Sequence, residues 1–130
     1  MLALEPLRGL RVVAEPRAID GLAPGEGALV LRLAPDDALV LDSSMTPETM
    51  RVADEHAIVE AEAGFAGCWL APEELDEVIV PHVEWPLPAE RPALAQGFVA
   101  GVPAKLWLTA DGALLLCAAA YAHELTDRLR

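Results

Sequence analysis

Three histidines and two cysteines are the side chains of this sequence best suited to bind a metal ion: His56, His82, His123, Cys68 and Cys117. They fall in different predicted elements, and none stands at the short spacing that zinc ligands share. We therefore predict no metal site. The N terminus has no secretion signal, so we expect both cysteines to be buried, unpaired thiols rather than a disulfide.

Carboxylates are the other groups that could carry chemistry. Glu60 and Glu62 point to one face of a predicted strand, and paired carboxylates divide acid and base roles when burial separates their pKa values. Nothing in the flanking sequence indicates burial, so a solvated strand face is favoured. Asp36, Asp37 and Asp111 stand in turn signals, where backbone conformation favours Asp. The sequence has no phosphate-binding loop, dinucleotide fingerprint or nucleophile elbow, and we predict no catalytic residue.

The elements that position these residues are organised around a repeat. Residues 31–42 (LRLAPDDALVLD) align without a gap on residues 106–117 (LWLTADGALLLC). Each copy has an alternating run, a turn signal and an apolar run, which predicts a β-hairpin whose second strand is covered on both faces. A helical segment follows each hairpin, from Thr46 to about Ala53 and from Ala118 to Arg130.

Two ββα units, over residues 29–54 and 104–129, favour a duplicated α+β domain, although a match of this length also arises by chance in Leu/Ala-rich sequence. We predict one small domain over residues 28–130, mainly an antiparallel sheet with helices packed against it. Residues 1–27 contain one strand, over residues 10–14, and dense Pro and Gly, so we expect an N-terminal arm or edge segment.

The middle of the chain predicts a second set of elements. Alternation over residues 57–63 indicates a strand, and Gly64 and Gly67 predict a bulge or bend before it resumes at residues 68–70. A two-turn helix follows from Pro72 to about Val80, with Leu75, Val78 and Ile79 on its apolar face. Residues 81–103 hold five prolines and predict a connection with one short strand near Phe98 and Val99.

Composition limits the function classes. The formal net charge is −12, and the few basic residues are scattered, which argues against nucleic-acid binding. The longest apolar run, residues 112–122, is too short to span a bilayer, so no membrane association is predicted. The absence of a leader favours a cytoplasmic location.

Four segments give the chain a resemblance to a known family. They are residues 33–41 (LAPDDALVL), the strand-to-helix step at residues 69–75 (WLAPEEL), the strand at residues 102–107 (VPAKLW) and the closing helix at residues 121–125 (YAHEL). In order and spacing these segments resemble the gamma subunit of heterotetrameric sarcosine oxidase, a relative of the folate-binding domain of the glycine cleavage T-protein. Ala34, Ala38 and Ala71 stand where that family has glycine, tryptophan and glycine, which marks a divergent member.

The resemblance implies a noncatalytic small subunit with the fold of the T-protein folate-binding domain. It implies larger oxidase subunits as partners, with FMN, FAD and NAD on those subunits and no cofactor held by this chain. Two alternatives remain open: a free-standing module that binds tetrahydrofolate or another pterin, and a self-associating domain that forms a homo-oligomer.

Trp107 is the residue that we expect to contact a partner or to line a shallow pocket. Leu106 and Leu108 share the buried side of their strand, so alternation places Trp107 on the side of Lys105. Its counterpart in the first repeat is Arg32, and a tryptophan on a polar strand face is typical of an interface. The candidate partner interface is therefore Trp107, Arg32 and Lys105. The alternative is that the last helix or the proline-rich connection covers Trp107.

Overall fold

A computed structural model describes residues 2–130 as an α+β protein with a mainly antiparallel sheet and few helices, which is the predicted fold class. The strands are β1 Glu5–Val13, β2 Leu29–Ala34, β3 Asp37–Leu41, β4 Ile58–Leu70, β5 Ala93–Val99, β6 Val102–Thr109 and β7 Gly112–Ala118. The α-helices are α1 Pro16–Asp20, α2 Pro72–Glu74 and α3 Ala122–Arg128. Within the described residues, no helix combines the length and apolar character that a bilayer crossing requires.

The chain divides into two compact units, which we call the N-terminal unit, Arg8–Ala63, and the C-terminal unit, residues 2–7 with Gly64–Arg130. In the N-terminal unit β3 lies between β2 and β1, antiparallel to both. Ala38, Val40 and the other residues up to Leu41 are all buried, as predicted for a strand covered on both faces. One face of this sheet packs against α1 and Met50.

Residues 1–27, expected to be an arm or edge, contribute more regular structure than their Pro and Gly content predicts. β1 begins at Glu5 and pairs with β3 through Leu10 and Val12, which are 6% and 0% exposed. Pro16 then opens α1, a position where its missing N–H costs nothing. The prolines and glycines thus shorten the elements of this segment without preventing them.

The helix predicted from Thr46 to about Ala53 is not present. Residues 46–50 make one turn, closed by the Met50 N–H to the Thr46 carbonyl at 2.9 Å. The Thr49 hydroxyl accepts from the Thr46 N–H at 2.7 Å. The Thr49 N–H donates in return to the Thr46 hydroxyl at 3.3 Å, a pattern typical of a helix start, but the chain does not continue as a helix beyond this turn. The first repeat is therefore a hairpin and a turn rather than a ββα unit.

The C-terminal unit has the strand order β4-β7-β6-β5, and the β6–β7 hairpin lies at its centre. Leu106, Leu108 and Leu115 point to one face and are at most 1% exposed. Leu75, Ile79, Leu125 and Leu129 from the helical segments cover this face. β7 is buried on both faces from Gly112 to Cys117, as predicted for the second hairpin.

Three further elements of this unit differ from expectation. β4 runs without a break from Ile58 to Leu70, so the bulge predicted at Gly64 and Gly67 is wrong, because continuous pairing with β7 holds the chain extended from Phe65 onward. β5 is a full seven-residue strand rather than a short one. The predicted helix from Pro72 becomes α2, a π-helical segment Leu75–Ile79 and a 3-10 turn Val80–His82.

The two hairpins of the repeat differ in register. Leu31 faces Leu39 in the first hairpin, whereas its aligned counterpart Leu106 faces Leu115 rather than Leu114. The cause is an irregularity between Arg32 and Ala34. A shift of one residue exchanges the faces of a strand, so Leu33 is only half-buried whereas Leu31 is buried.

Candidate functional site

Trp107 lies on β6 with the predicted alternation. Leu106 and Leu108 are buried on the other side, and Trp107 is half-buried. Its neighbours across the sheet are Leu94 on β5 and Leu114 on β7, and Leu114 is 1% exposed. The strand face that carries Trp107 is therefore apolar around the indole, not polar as the sequence suggested.

Lys105, one position along the same face, stands opposite Gln96 of β5. Its ammonium group donates to the Gln96 side-chain oxygen at 2.8 Å. The two residues line the wall of a cavity of about 370 Å³ with three aromatic side chains, Phe65, Phe98 and Tyr121. Lys105 thus lies at the rim of an aromatic groove.

Arg32, the third candidate interface residue, belongs to the N-terminal unit and its guanidinium is used within that unit. It pairs with Asp20 at 2.7 Å and donates to the carbonyl oxygens of Pro16 and Pro35, at 3.1 Å and 2.7 Å. These bonds tie α1 and the β2–β3 turn to the strand. The structure gives Arg32 an intramolecular role at this position.

Trp69 is the exposed tryptophan that the sequence analysis missed. Its side chain is 58% exposed, although it belongs to the paired part of β4, opposite Leu114. Cys68 and Leu70, its neighbours, pack toward the helix-covered core. The alternation that was applied to Trp107 also singles out Trp69, and it would have been found by extending β4 through the two glycines.

Two more aromatic side chains are exposed in the C-terminal unit. Phe98 on β5 is 61% exposed, and Tyr121, in the 3-10 turn Ala119–Tyr121 before α3, is 44% exposed. Tyr121 does not share the buried face of Leu125 and Leu129. It is displaced because the chain from Ala119 begins as a 3-10 turn, which changes the angular spacing relative to α3.

The carboxylates give an ion cluster rather than a catalytic pair. Arg11 on β1 binds Asp37 through two nitrogens, at 2.5 Å and 2.7 Å, and binds Glu62 on β4 at 3.0 Å. Glu60 is exposed, but Glu62 is half-buried, so only the former belongs to a solvated face. The carboxylates raise the pKa of the Arg11 guanidinium above its ordinary value, chiefly through the bond to Asp37.

Both cysteines are free thiols. Cys117 is buried, as predicted, but Cys68 on β4 is only half-buried, at the margin of the core that contains Cys117. Burial raises the pKa of Cys68 to about 11, with a smaller contribution from the charge of Glu74. Burial also raises the pKa of Cys117. Neither thiol has the electropositive surroundings of a nucleophile.

The histidines lie apart, as predicted. His56 contacts Glu55 at 3.4 Å and His123 contacts Asp127 at 3.3 Å, both on exposed surface. His82 lines a second cavity, of about 440 Å³, beside the β5–β6 turn. Over residues 2–130 no three histidine, cysteine, aspartate or glutamate side chains come together in a way that could hold a metal ion.

No protein family, no curated protein and no solved structure matches the chain.

Proposed function

We propose that this chain is an accessory subunit that binds and stabilises larger flavoprotein subunits, in the manner of the gamma chain of heterotetrameric sarcosine oxidase. The proposal includes the fold of the T-protein folate-binding domain. Support comes from the four sequence segments that resemble that family and from the β6–β7–α3 succession, which follows the predicted ββα unit.

The single observation that carries the proposal is the exposure of Trp69. The indole is 58% exposed, and the strand that carries it is already ordered by pairing with β7 opposite Leu114, so a partner that covers Trp69 does not have to order the main chain. Tryptophan is among the residues most enriched at the energetic centre of protein interfaces. Trp69 is therefore the residue on which we expect the partner to bury most area.

Recovery of the tagged protein from its native host tests the proposal. We expect stoichiometric larger chains that carry bound flavin, visible by absorbance, and we expect Trp69→Ala to reduce their recovery at least tenfold. Glu73→Ala, at another exposed position of the same unit, is the matched control and should leave recovery unchanged. Recovery of the chain alone, or only with copies of itself, would contradict the proposal and favour a self-associating domain.

The aromatic groove favours a second candidate function, the binding of tetrahydrofolate or another pterin. Phe65, Phe98 and Tyr121 could stack on a flat ring, and the volume of about 370 Å³ lies within the range of small-molecule pockets. Titration with tetrahydrofolate decides between the two. Saturable binding in the micromolar range that Phe98→Ala abolishes would favour the pterin module; no saturation would leave the accessory subunit as the better reading.

A further inference from the structure

The cavity beside the β5–β6 turn is lined by aromatic rings and a carboxylate. Two aromatic side chains, Trp85 and Phe98, and one carboxylate, Glu84, line its volume of about 440 Å³, together with the 3-10 turn that precedes them and the hairpin turn Ala100–Gly101. All of these residues belong to the C-terminal unit. A volume of this size is sufficient for a small molecule.

Trp85 is fixed in this wall by its neighbours. Its indole N–H donates to the Phe98 carbonyl at 2.9 Å. Three indole atoms lie 2.7 to 2.8 Å from where a Cβ would stand on Gly97, so the indole rests against a strand position that only glycine leaves open. The ring is half-buried and therefore still presents part of its surface to the cavity. Phe98, at 61% exposure, supplies the second aromatic surface.

Three backbone carbonyls around the cavity each accept a hydrogen bond from within the protein. The Phe98 carbonyl accepts from Trp85, the His82 carbonyl accepts from the Ala100 N–H at 2.9 Å, and the Ala100 carbonyl accepts from Arg128 at 2.8 Å. A primary ammonium group donates three hydrogen bonds, so on leaving water it would have to share these carbonyls or bind the Glu84 carboxylate. A cation without N–H donors has no such requirement.

Charge also favours a cation. Glu84 is an exposed carboxylate at the cavity wall, and the chain carries a formal charge of −12. The nearest guanidinium, Arg128, pairs with Glu124 at 2.6 Å, which offsets its charge. The remaining titratable side chain of the wall is His82.

From these observations we propose that the cavity between Trp85, Phe98 and Glu84 binds a quaternary ammonium group. Aromatic faces attract such a cation through the ring quadrupole, and the carboxylate adds a complementary charge. A quaternary ammonium group has no N–H, so it needs no hydrogen bond to the carbonyls that already accept one. This site is separate from the flavoprotein interface proposed at Trp69, and neither proposal depends on the other.

Calorimetric titration with choline at pH 8 and constant ionic strength tests the site. The matched control is 3,3-dimethylbutan-1-ol, which has the shape of choline without its charge. We expect choline to bind with a dissociation constant of about 1 mM and the alcohol to bind at least tenfold more weakly. Choline should also shift the indole N–H resonance of Trp85, identified among the three tryptophans by Trp85→Phe.

Substitutions at two exposed positions, Phe98 and Glu84, separate the contributions without threatening the fold. Phe98→Leu keeps an apolar side chain but removes the ring and should weaken choline binding about 2- to 5-fold, while Phe98→Tyr should retain it. Glu84→Gln should weaken binding by a similar factor. Equal binding of choline and the neutral alcohol would overturn the proposal, as would a choline titration that shows no saturation in the folded protein.

Discussion

The residues whose chemistry the sequence left undecided are resolved by their neighbours. Glu60 and Glu62 have the same place in the alternating pattern of the strand, yet Glu62 is half-buried and binds Arg11, whereas Glu60 is exposed. Arg32 looked like the surface counterpart of Trp107, yet its guanidinium holds Asp20 and two carbonyls. Alternation fixes the face of a side chain, but the partner on a distant strand fixes its role, and that partner cannot be read from local sequence.

The burial of the Cys68 thiol predicts how its reactivity depends on pH. Because burial keeps its thiol protonated, with a pKa of about 11, the reactive thiolate is scarce at neutral pH. We expect the rate of its modification by a small disulfide reagent, measured in Cys117→Ala, to keep rising up to about pH 11 in the folded protein. In denaturant the same rate should level off near pH 9. A folded-state profile that levels off near pH 9 would contradict the raised pKa.

Gly112 gives a second prediction. It begins β7 with φ of 140°, and a Cβ there would overlap the Leu70 carbonyl oxygen. We expect Gly112→Ala to reduce the free energy of unfolding by about 3 kcal/mol, through backbone strain and the displaced strand. Gly21→Ala is the control, since a Cβ there meets only ordinary contacts, and urea denaturation of the two variants measures the difference. A loss of less than about 1 kcal/mol in Gly112→Ala would contradict this account.

At the scale of elements, the sequence predicted hairpins better than helices. The alternating runs and the turns at Pro35–Asp36 and Ala110–Asp111 locate β2–β3 and β6–β7, because period and turn chemistry are local properties. The helix expected after Thr46 does not form: its start signal is present as one capped turn, which the chain does not extend. The length of β5 was underestimated because its pairing with β6 outweighs the weak strand propensity of Gly97.

The repeat illustrates the limit of sequence alignment. Its constant offset correctly located two hairpins, but the irregularity after Arg32 shifts one register against the other. Because that shift exchanges faces, the comparison of Arg32 with Trp107 joined positions in different environments. The irregularity arises from how the strands pair. A glycine often indicates such a bulge, but Leu33 and its aligned counterpart Leu108 are both leucine, so the sequence gives no local sign of it.

The ion cluster of the N-terminal unit joins three strands, and we predict its contribution to the stability of the fold. Arg11 on β1 binds Asp37, the first residue of β3, with two hydrogen bonds, and it also binds Glu62 on β4. Its side chain is 33% exposed, so solvent screens the pair in part. We expect a double-mutant cycle of Arg11→Gln and Asp37→Asn to give a coupling free energy of about 1 kcal/mol.

Urea denaturation measures the four proteins of this cycle. Arg32→Gln with Asp20→Asn is the matched control pair, because Asp20 is 66% exposed and makes one bond to the guanidinium. Its coupling should be smaller, at most about 0.5 kcal/mol. A larger coupling in the Arg32 pair than in the Arg11 pair would show that geometry and burial do not decide these energies.

At the scale of the whole molecule, the two units contribute different properties. The N-terminal unit holds the charged cluster and the bonds of Arg32, while the C-terminal unit carries the exposed aromatic side chains and the two cavities lined by aromatic rings. Strand alternation in the sequence indicates one candidate interface residue, Trp107. The exposure of Trp69 follows by the same alternation once β4 is continued through Gly64 and Gly67. The cavity walls depend on how the proline-rich connection lies against β5, which local sequence does not show.

The last prediction compares Trp69 and Trp107, which are separated by Leu114 in one cross-strand row. Trp69 is 58% exposed, so we expect Trp69→Ala to change the free energy of unfolding by less than about 1 kcal/mol and to weaken partner association by about 2 kcal/mol or more. Trp107 is half-buried beside Leu94 and Leu114, so Trp107→Ala should also lower stability, by about 2 kcal/mol. Denaturation and association with the recovered partner measure the two quantities separately. If Trp107→Ala costs about 3 kcal/mol or more in stability and association is unchanged in both variants, neither indole is an interface anchor and Trp107 belongs to the core.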